Sequence, residues 1–264
     1  LFSTWLAIAL RRLPAYFLWP MALIAGAVAG ALWAGIAGFL RARYRINEII
    51  VTVMMNYVSI FFVQYMVSGP LREQESVGVG FPQTDVIPES LWLPRQIPHT
   101  RLHLGFVIAT LLAIGVHLLL KHTTLGYSLR AVGRNTTAAR FAGIDASRTM
   151  IVAMVLSGAL AGLAGLVEVF GIHHRLLDGI SPGYGFIAII VALLGNRQPL
   201  KVALAAILLA SLDFGAHTMQ RGTGLPVSLV VTIEYLMVIL IVGAQILRTH
   251  RVTPVEDFWE RISK

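Results

Sequence analysis

The sequence contains no cysteine among its 264 residues. That excludes a disulfide framework, a thiol nucleophile and thiolate metal sites. Charge is scarce too: Asp, Glu, Lys and Arg make up 13% of the chain, roughly half of what an ordinary soluble domain carries. With 56% hydrophobic residues and a mean hydropathy of +0.75, the chain cannot be intrinsically disordered. Nor do its few polar groups suffice to cover a soluble globule. No G-x-x-x-x-G-K-[ST] run occurs, so the chain does not hydrolyse ATP through a P-loop. Ser157 lacks the Gly-x-Ser-Gly setting of an intramembrane serine protease, and Asp213 lies in Ser-Leu-Asp-Phe rather than Gly-x-Gly-Asp. The adjacent His173 and His174 do not have the helical spacing of a zinc pair. No basic segment precedes the apolar stretch at Leu1, which therefore does not read as a signal peptide. The expectation is an N-terminally truncated chain.

What is present is a series of apolar runs. A hydrocarbon core of about 30 Å needs about 20 apolar helical residues. Pro20–Leu40, Ile49–Val67, Leu104–Leu120, Thr149–Ile172, Leu200–Ala216 and Pro226–Leu247 meet that need. Gly183–Gly195 is shorter: it extends into its flanks, crosses with little tilt in a thinned region, or is half of a broken helix. Leu1–Leu10 reads as the tail of an earlier span. The predicted fold class is an all-α integral membrane protein, a polytopic helical bundle of about seven spans forming one transmembrane domain over residues 1–264.

The net charge of +8 is distributed unevenly. On a soluble fold a basic excess would suggest nucleic acid; here it falls in the loops, and no nucleic-acid partner is expected. If every run crosses, fourteen of the 21 basic residues share one side: residues 41–45, loop 121–148, the turn at Arg197 and Lys201, and tail 248–264. That side is then cytoplasmic by the positive-inside rule. If Gly183–Gly195 does not cross, the division becomes eight against thirteen. The longest segment on the other side, 68–103, holds five prolines and four acidic residues, and is predicted to be an ordered external loop with a short helix near Glu89–Trp92. It either carries function or shields helix ends as a lid. Small residues recur every four positions at Gly26, Gly30, Ala34 and Gly38, and at Ser157, Ala161 and Gly165 beside Gly158 and Gly162. Such stripes let backbones approach in lipid, as fixed packing or as a sliding seam.

Loop 121–148 has no proline and is rich in Ala and Arg, which predicts a short cytoplasmic helix over Thr137–Ala142. Asn135 and its threonines supply the N-cap and Gly143 the C-cap. Arg130, Arg134 and Arg140 then meet either anionic lipid or a cytosolic partner. The stretch GYSLRAVGRNTTAARFAGI at 126–144 resembles the coupling region of ABC importer permeases. The likeness continues through SGALAGLAG at 157–165, HRLLDGISPGYGF at 174–186, and ALLG at 192–195. Upstream, RINEII at 45–50, Met55-Asn-Tyr57 and Gly69-Pro70 fit as well. Together these motifs resemble the ribose, branched-chain amino acid and nucleoside permease superfamily, most of all its nucleoside-type branch, often labelled simple-sugar permeases.

The resemblance implies a plasma-membrane subunit that is not itself an enzyme, has a cytoplasmic C-terminus and pairs with a second permease. ATP and Mg would be held by a separate ABC ATPase, an extracytoplasmic binding protein would deliver substrate, and the chain would bind no cofactor or metal of its own. It further implies that Gly126, Arg130, Gly133, Arg134, Asn135, Ala138, Ala139, Gly143 and Ile144 form the ATPase-coupling region. Two departures stand out. The family's N-terminal spans, with a pathway motif near Phe-Asn-Ile-Gly, are absent, and acids stand at Asp213 and Glu234 where relatives carry small, apolar or amide groups.

Ionisable groups within spans are costly and usually face a bundle interior or water. Asn56 suits a sugar hydroxyl, a base edge or an interhelical hydrogen bond. Glu168, near His173 and His174, either binds substrate or caps helix dipoles. Tyr184 and Phe186 either stack on a base or sugar in the pathway or belong to an interfacial belt. Asp213 and His217, at i and i+4, are placed to pair. The competing reading is a proton-coupled carrier using Glu168, Asp213 or Glu234; such a carrier has no need of a docking helix in loop 121–148.

Overall fold

The computed structural model describes residues 1–44, 46–73, 82–97, 102–181 and 183–223, with a few positions of 228–243. Among them there is no β-strand, only three isolated antiparallel bridges. The elements are α1 (Phe2–Ala9), α2 (Ala15–Tyr44), α3 (Glu48–Ser68), a 3-10 turn (Glu89–Leu91), α4 (Leu104–His122), α5 (Thr124–Arg134), α6 (Thr136–Phe141), α7 (Ala146–Glu168), a π-turn (Val169–His173), α8 (Tyr184–Leu194) and α9 (Pro199–Thr223). Among the described residues, five helices are long and apolar enough to cross a membrane: α2, α3, α4, α7 with its π-turn, and α9. They cover the runs expected at 20–40, 49–67, 104–120, 149–172 and 200–216. Most of the run at 226–247, Glu234 included, and the whole tail at 248–264 lie outside the described residues. The 3-10 turn falls where the short external helix is predicted.

α8 has 11 residues. At 1.5 Å per residue it is about 16 Å long, roughly half the hydrocarbon thickness. Its length matches the broken-helix alternative. Gly183 starts it from a left-handed conformation (φ +86°), and Asn196 and Arg197, both left-handed, turn the chain into α9.

The chain forms two compact units, Leu1–Pro182 and Gly183–Lys264, each with its own apolar cluster. In the second, Val191 of α8 packs with Ala205 and Leu209 of α9. In the first, α2 and α7 cross along their lengths, with the glycine stripes as the seam. A Cβ on Gly30 would run into the carbonyl of Gly158, and one on Gly162 into the carbonyl of Gly26. The two backbones are in contact, as small-xxx-small packing allows. Gly38 continues the seam against Met154 and Ile151. Ser3 of α1 donates to the Ala22 carbonyl at 2.9 Å and ties α1 to α2.

Local chemistry starts the helices. Asn47 accepts from the Ile49 N–H at 3.0 Å, and Glu48 complements the positive end of α3. The His103 imidazole accepts from the Gly105 N–H at 3.1 Å to begin α4. Asp145 accepts from the Arg148 N–H at 3.1 Å to begin α7.

Candidate coupling element and pathway residues

The connection between α4 and α7 is a folded element. Thr123 breaks α4 (φ −113°, ψ 155°) and at once caps α5, its hydroxyl accepting from the Gly126 N–H at 3.0 Å. Gly126 is buried at this corner; a Cβ there would strike the backbone of Leu119 and Leu120. Arg130 reaches back and donates to the Leu120 carbonyl. Asn135 then caps α6 twice, accepting from the Thr137 and Ala138 N–H groups at 3.0 Å each. At the other end, Gly143 (φ +79°) lets its own N–H reach the Arg140 carbonyl at 2.9 Å and the Ile144 N–H reach the Ala139 carbonyl at 3.0 Å. Only glycine takes that conformation without strain.

The observed helix, Thr136–Phe141, lies one residue earlier than the predicted 137–142. α5 has no predicted counterpart beyond partial helicity. The element is held by a small cluster in which Val132, Ala139 and Ala146 are buried with Ala131, Ile144 and Met150 packed round them. This divides the predicted coupling residues. Gly126 and Ala139 are inside and Ile144 is half-buried, so all three maintain the element from within; a partner cannot touch a side chain that is 4% exposed, as Ala139 is. Arg130, Gly133, Arg134, Asn135, Ala138 and Gly143 are exposed. No described ion pair engages Arg134, Arg140 or Arg148. Removing the double cap by Asn135→Ala is expected to cost about 1 kcal/mol locally. Amide exchange should accelerate at Ala139 and Ala142, while the spanning helices exchange as before.

At the opposite end of α7 the segment 82–97 folds down as a cap. The Leu93 N–H donates to the Phe170 carbonyl at 3.0 Å and the Ile87 N–H to the His174 carbonyl at 2.9 Å. Thr84 bonds Leu176 in both directions, each at 3.0 Å. Trp92 stacks on His174, ring centres 4.0 Å apart, and Trp19 of α2 donates to the Ser90 carbonyl at 3.3 Å. Ile87, Leu91 and Leu93 of this lid are buried together with Phe170 of the π-turn. Glu73 joins it to Arg175 at 3.4 Å.

The π-turn makes this geometry possible. It adds a residue to the last turn and brings His173 to Glu168 five residues earlier, Nε2 to Oε1 3.3 Å. His174 ends the turn in a left-handed conformation (φ 56°), unusual for a residue with a side chain. The His103 ring lies between Gly105 and Gly171, where a Cβ at either position would come within about 2.5 Å of it. Burial holds the His103 imidazole below its ordinary pKa, against the opposing pull of Glu168. His174 is lowered as well, first by burial and then by Arg95, His173 and His103, with a hydrogen bond to Phe170 acting the other way.

The predicted pathway residues fall in both units. Asn56 is half-buried in the middle of α3, and Glu168 pairs with His173 under the cap. Tyr184 and Phe186 are both about half exposed at the start of α8, in the second unit. Asp213 and His217 pair on their own helix, with Nδ1 3.6 Å from the carboxylate and 2.9 Å from the Asp213 carbonyl oxygen. Among the described residues no group of three or more His, Asp or Glu is placed to hold a metal.

Comparison with known proteins identifies the family. The family model described as "Branched-chain amino acid transport system / permease component" matches residues 2–244. The chain belongs to this family of multi-pass transport permeases. It is similar to the guanosine ABC transporter permease protein NupP of Bacillus subtilis, 39% identical over 237 residues, covering 88% of this chain and 66% of that one. It is similar to the glucose ABC transporter permease protein TsgB13 of Haloferax volcanii, 33% identical over 261 residues, 95% and 67% of the two chains. It is also similar to the nucleoside ABC transporter permease protein NupB of Lactococcus lactis, 34% identical over 234 residues, 86% and 64%. The chain thus spans about two thirds of the length of these relatives. No solved structure matches it.

Proposed function

We propose that this chain forms the membrane path of an ABC importer for a nucleoside or simple sugar in the plasma membrane. It works beside a second permease and draws on a separate cytosolic ATPase that binds ATP and Mg. The observation that carries this reading is the doubly capped α6, held on its own small core between α4 and α7, with three exposed arginines around it. A plain connection between spans needs no such element. Its basic character suits the cytoplasmic side and an acidic partner surface. The cap at 82–97 then faces outward, toward an extracytoplasmic binding protein. The names of the relatives, for guanosine, glucose and nucleosides, support the substrate class. Asn56 and Glu168 are the polar groups assigned to the path, with Tyr184 and Phe186 as stacking surfaces.

The test is co-expression of the full-length permease with its ATPase and binding protein, reconstitution, and measurement of uptake and ATP turnover with a panel of nucleosides and sugars. Reversing Arg134 and Arg140 to Glu together is expected to lower substrate-stimulated turnover about tenfold or more with the permease still folded. Full coupling in that double variant would show that the arginines serve only as lipid anchors.

A further inference from the structure

One side chain of the coupling element has no task in the fold. Phe141, the last residue of α6, is 89% exposed, more than any other large hydrophobic residue described. Most of the others with high exposure, such as Leu32, Ile49, Phe61, Leu111 and Leu204, lie on the long apolar helices, where lipid accounts for them.

Phe141 lies on none of those helices. The seam sets Gly26 against Gly162, Gly30 against Gly158 and Gly38 against Met154 and Ile151. Continued by one turn, this register brings Arg41 of α2 level with Ser147 and Arg148 of α7. Guanidinium groups on both helices mark the edge of the hydrocarbon. α6 packs against Ala146 and Met150 at the start of α7, level with that edge, and lies between Arg134 and Arg148 in sequence.

The ring is also presented rigidly. Two capping bonds fix the start of α6, the Gly143 turn fixes its end, and Ala139 roots its inner face. A rigid aromatic group on a short, preorganised helix loses little entropy on binding and suits the centre of an interface. Exposed arginines at 134, 140 and 148 flank it along the chain, while Asp145 is the one acidic residue between 121 and 148.

Resting on the coupling role proposed above, we infer that Phe141 is the anchor of the docking surface. It inserts into an apolar pocket of the cytosolic ATPase whose rim carries carboxylates that meet Arg134 and Arg140. Most of the binding energy then resides in one ring, and the arginines mainly set the rate and orientation of encounter.

The experiment measures the affinity of the purified ATPase for the full-length permease in proteoliposomes, together with coupled ATP turnover. Phe141→Ala is expected to weaken binding about 30-fold, the size of a hot-spot loss. The permease melting temperature should not change, because the ring touches little of its own chain. Phe141→Trp should keep most of the affinity, and Arg140→Gln should slow association more than it speeds dissociation. Wild-type affinity in Phe141→Ala overturns the inference while the coupling role stands. If the unaltered permease binds no ATPase, the coupling role itself fails. If brominated lipid quenches the fluorescence added by Phe141→Trp without ATPase present, the ring is a membrane anchor and the inference is overturned.

Discussion

A leucine in place of Gly30 is expected to leave little folded permease in the membrane. The seam between α2 and α7 has carbonyl oxygens on both sides, and a Cβ at position 30 already falls on the Gly158 carbonyl. A side chain in the way could change rotamer, but a helix backbone cannot yield without moving the helix. Parting the helices removes the close backbone contact, and lipid offers no hydrophobic drive to bring them together again. The cost should reach or exceed the ~3 kcal/mol upper range of ordinary overpacking. The readouts are the fraction that stays monodisperse after extraction and a fall in melting temperature. Two glycines act as controls. A Cβ on Gly165 meets nothing within 4 Å, and one on Gly35 meets only the Val155 side chain, at 3.3 Å. Alanine at 165 should be silent and at 35 nearly so. A Gly30→Leu protein that melts like the unaltered chain would mean that the seam is loose enough to slide.

Acidification is expected to release the cap over α7. His103 and His174 have folded-state pKa values below their ordinary value, chiefly because both rings are desolvated. Below the ordinary histidine value of about 6.5 the opened state therefore binds more protons than the closed one. Closure gains stability as pH rises through this window and loses it as pH falls. The charged groups around the rings, Arg95, His173 and Glu168, pull in both directions, so the release should be graded. Geometry adds a second reason. His103 accepts the Gly105 N–H through Nδ1, and an imidazolium has no acceptor to offer. Hydrogen exchange at the Ile87 and Leu93 amides, corrected for intrinsic rate, should be slow at pH 7.5 and markedly faster at pH 5.5. His103→Asn keeps an acceptor at the cap but does not titrate, and should flatten part of that change. Equal protection at both pH values would refute the idea.

The sequence shows clearly what depends on near neighbours. Twenty apolar residues in a row announce a span, and the ends of α3, α4 and α7 lie within a few residues of the hydropathy pattern, while α9 runs seven residues past its expected end at Ala216. α2 also runs beyond its pattern, because Pro20 sits inside the helix, in its second turn, rather than at its start. The caps of α6 were legible as Asn135 and Gly143, since capping is decided within four residues. The Asp213–His217 pair followed from i, i+4 spacing alone. What was not legible depends on residues far apart in sequence. The lid pairs Thr84 with Leu176 and Leu93 with Phe170, and no periodicity announces such partners. The pairing of Glu168 with His173 requires the π-turn, which leaves no mark in an apolar pattern. Burial also reassigned the predicted coupling residues: Ala139 resembles Ala138 in sequence but faces inward, and Phe141 stood in the motif without showing that nothing covers it.

α7 carries the coupling element and the cap on one continuous piece of backbone. Its 23 residues make a rod about 35 Å long, with α6 joined to one end through four residues and the π-turn fused to the other. The glycine seam holds this rod against α2 near its middle, as a fulcrum holds a beam. A tilt of about 5° about that point carries each end roughly 1.5 Å, in opposite directions, across a helix of this length. That distance exceeds what a hydrogen bond of ordinary length tolerates, so the bonds joining Leu93 to Phe170 and Ile87 to His174 would register a push applied at α6.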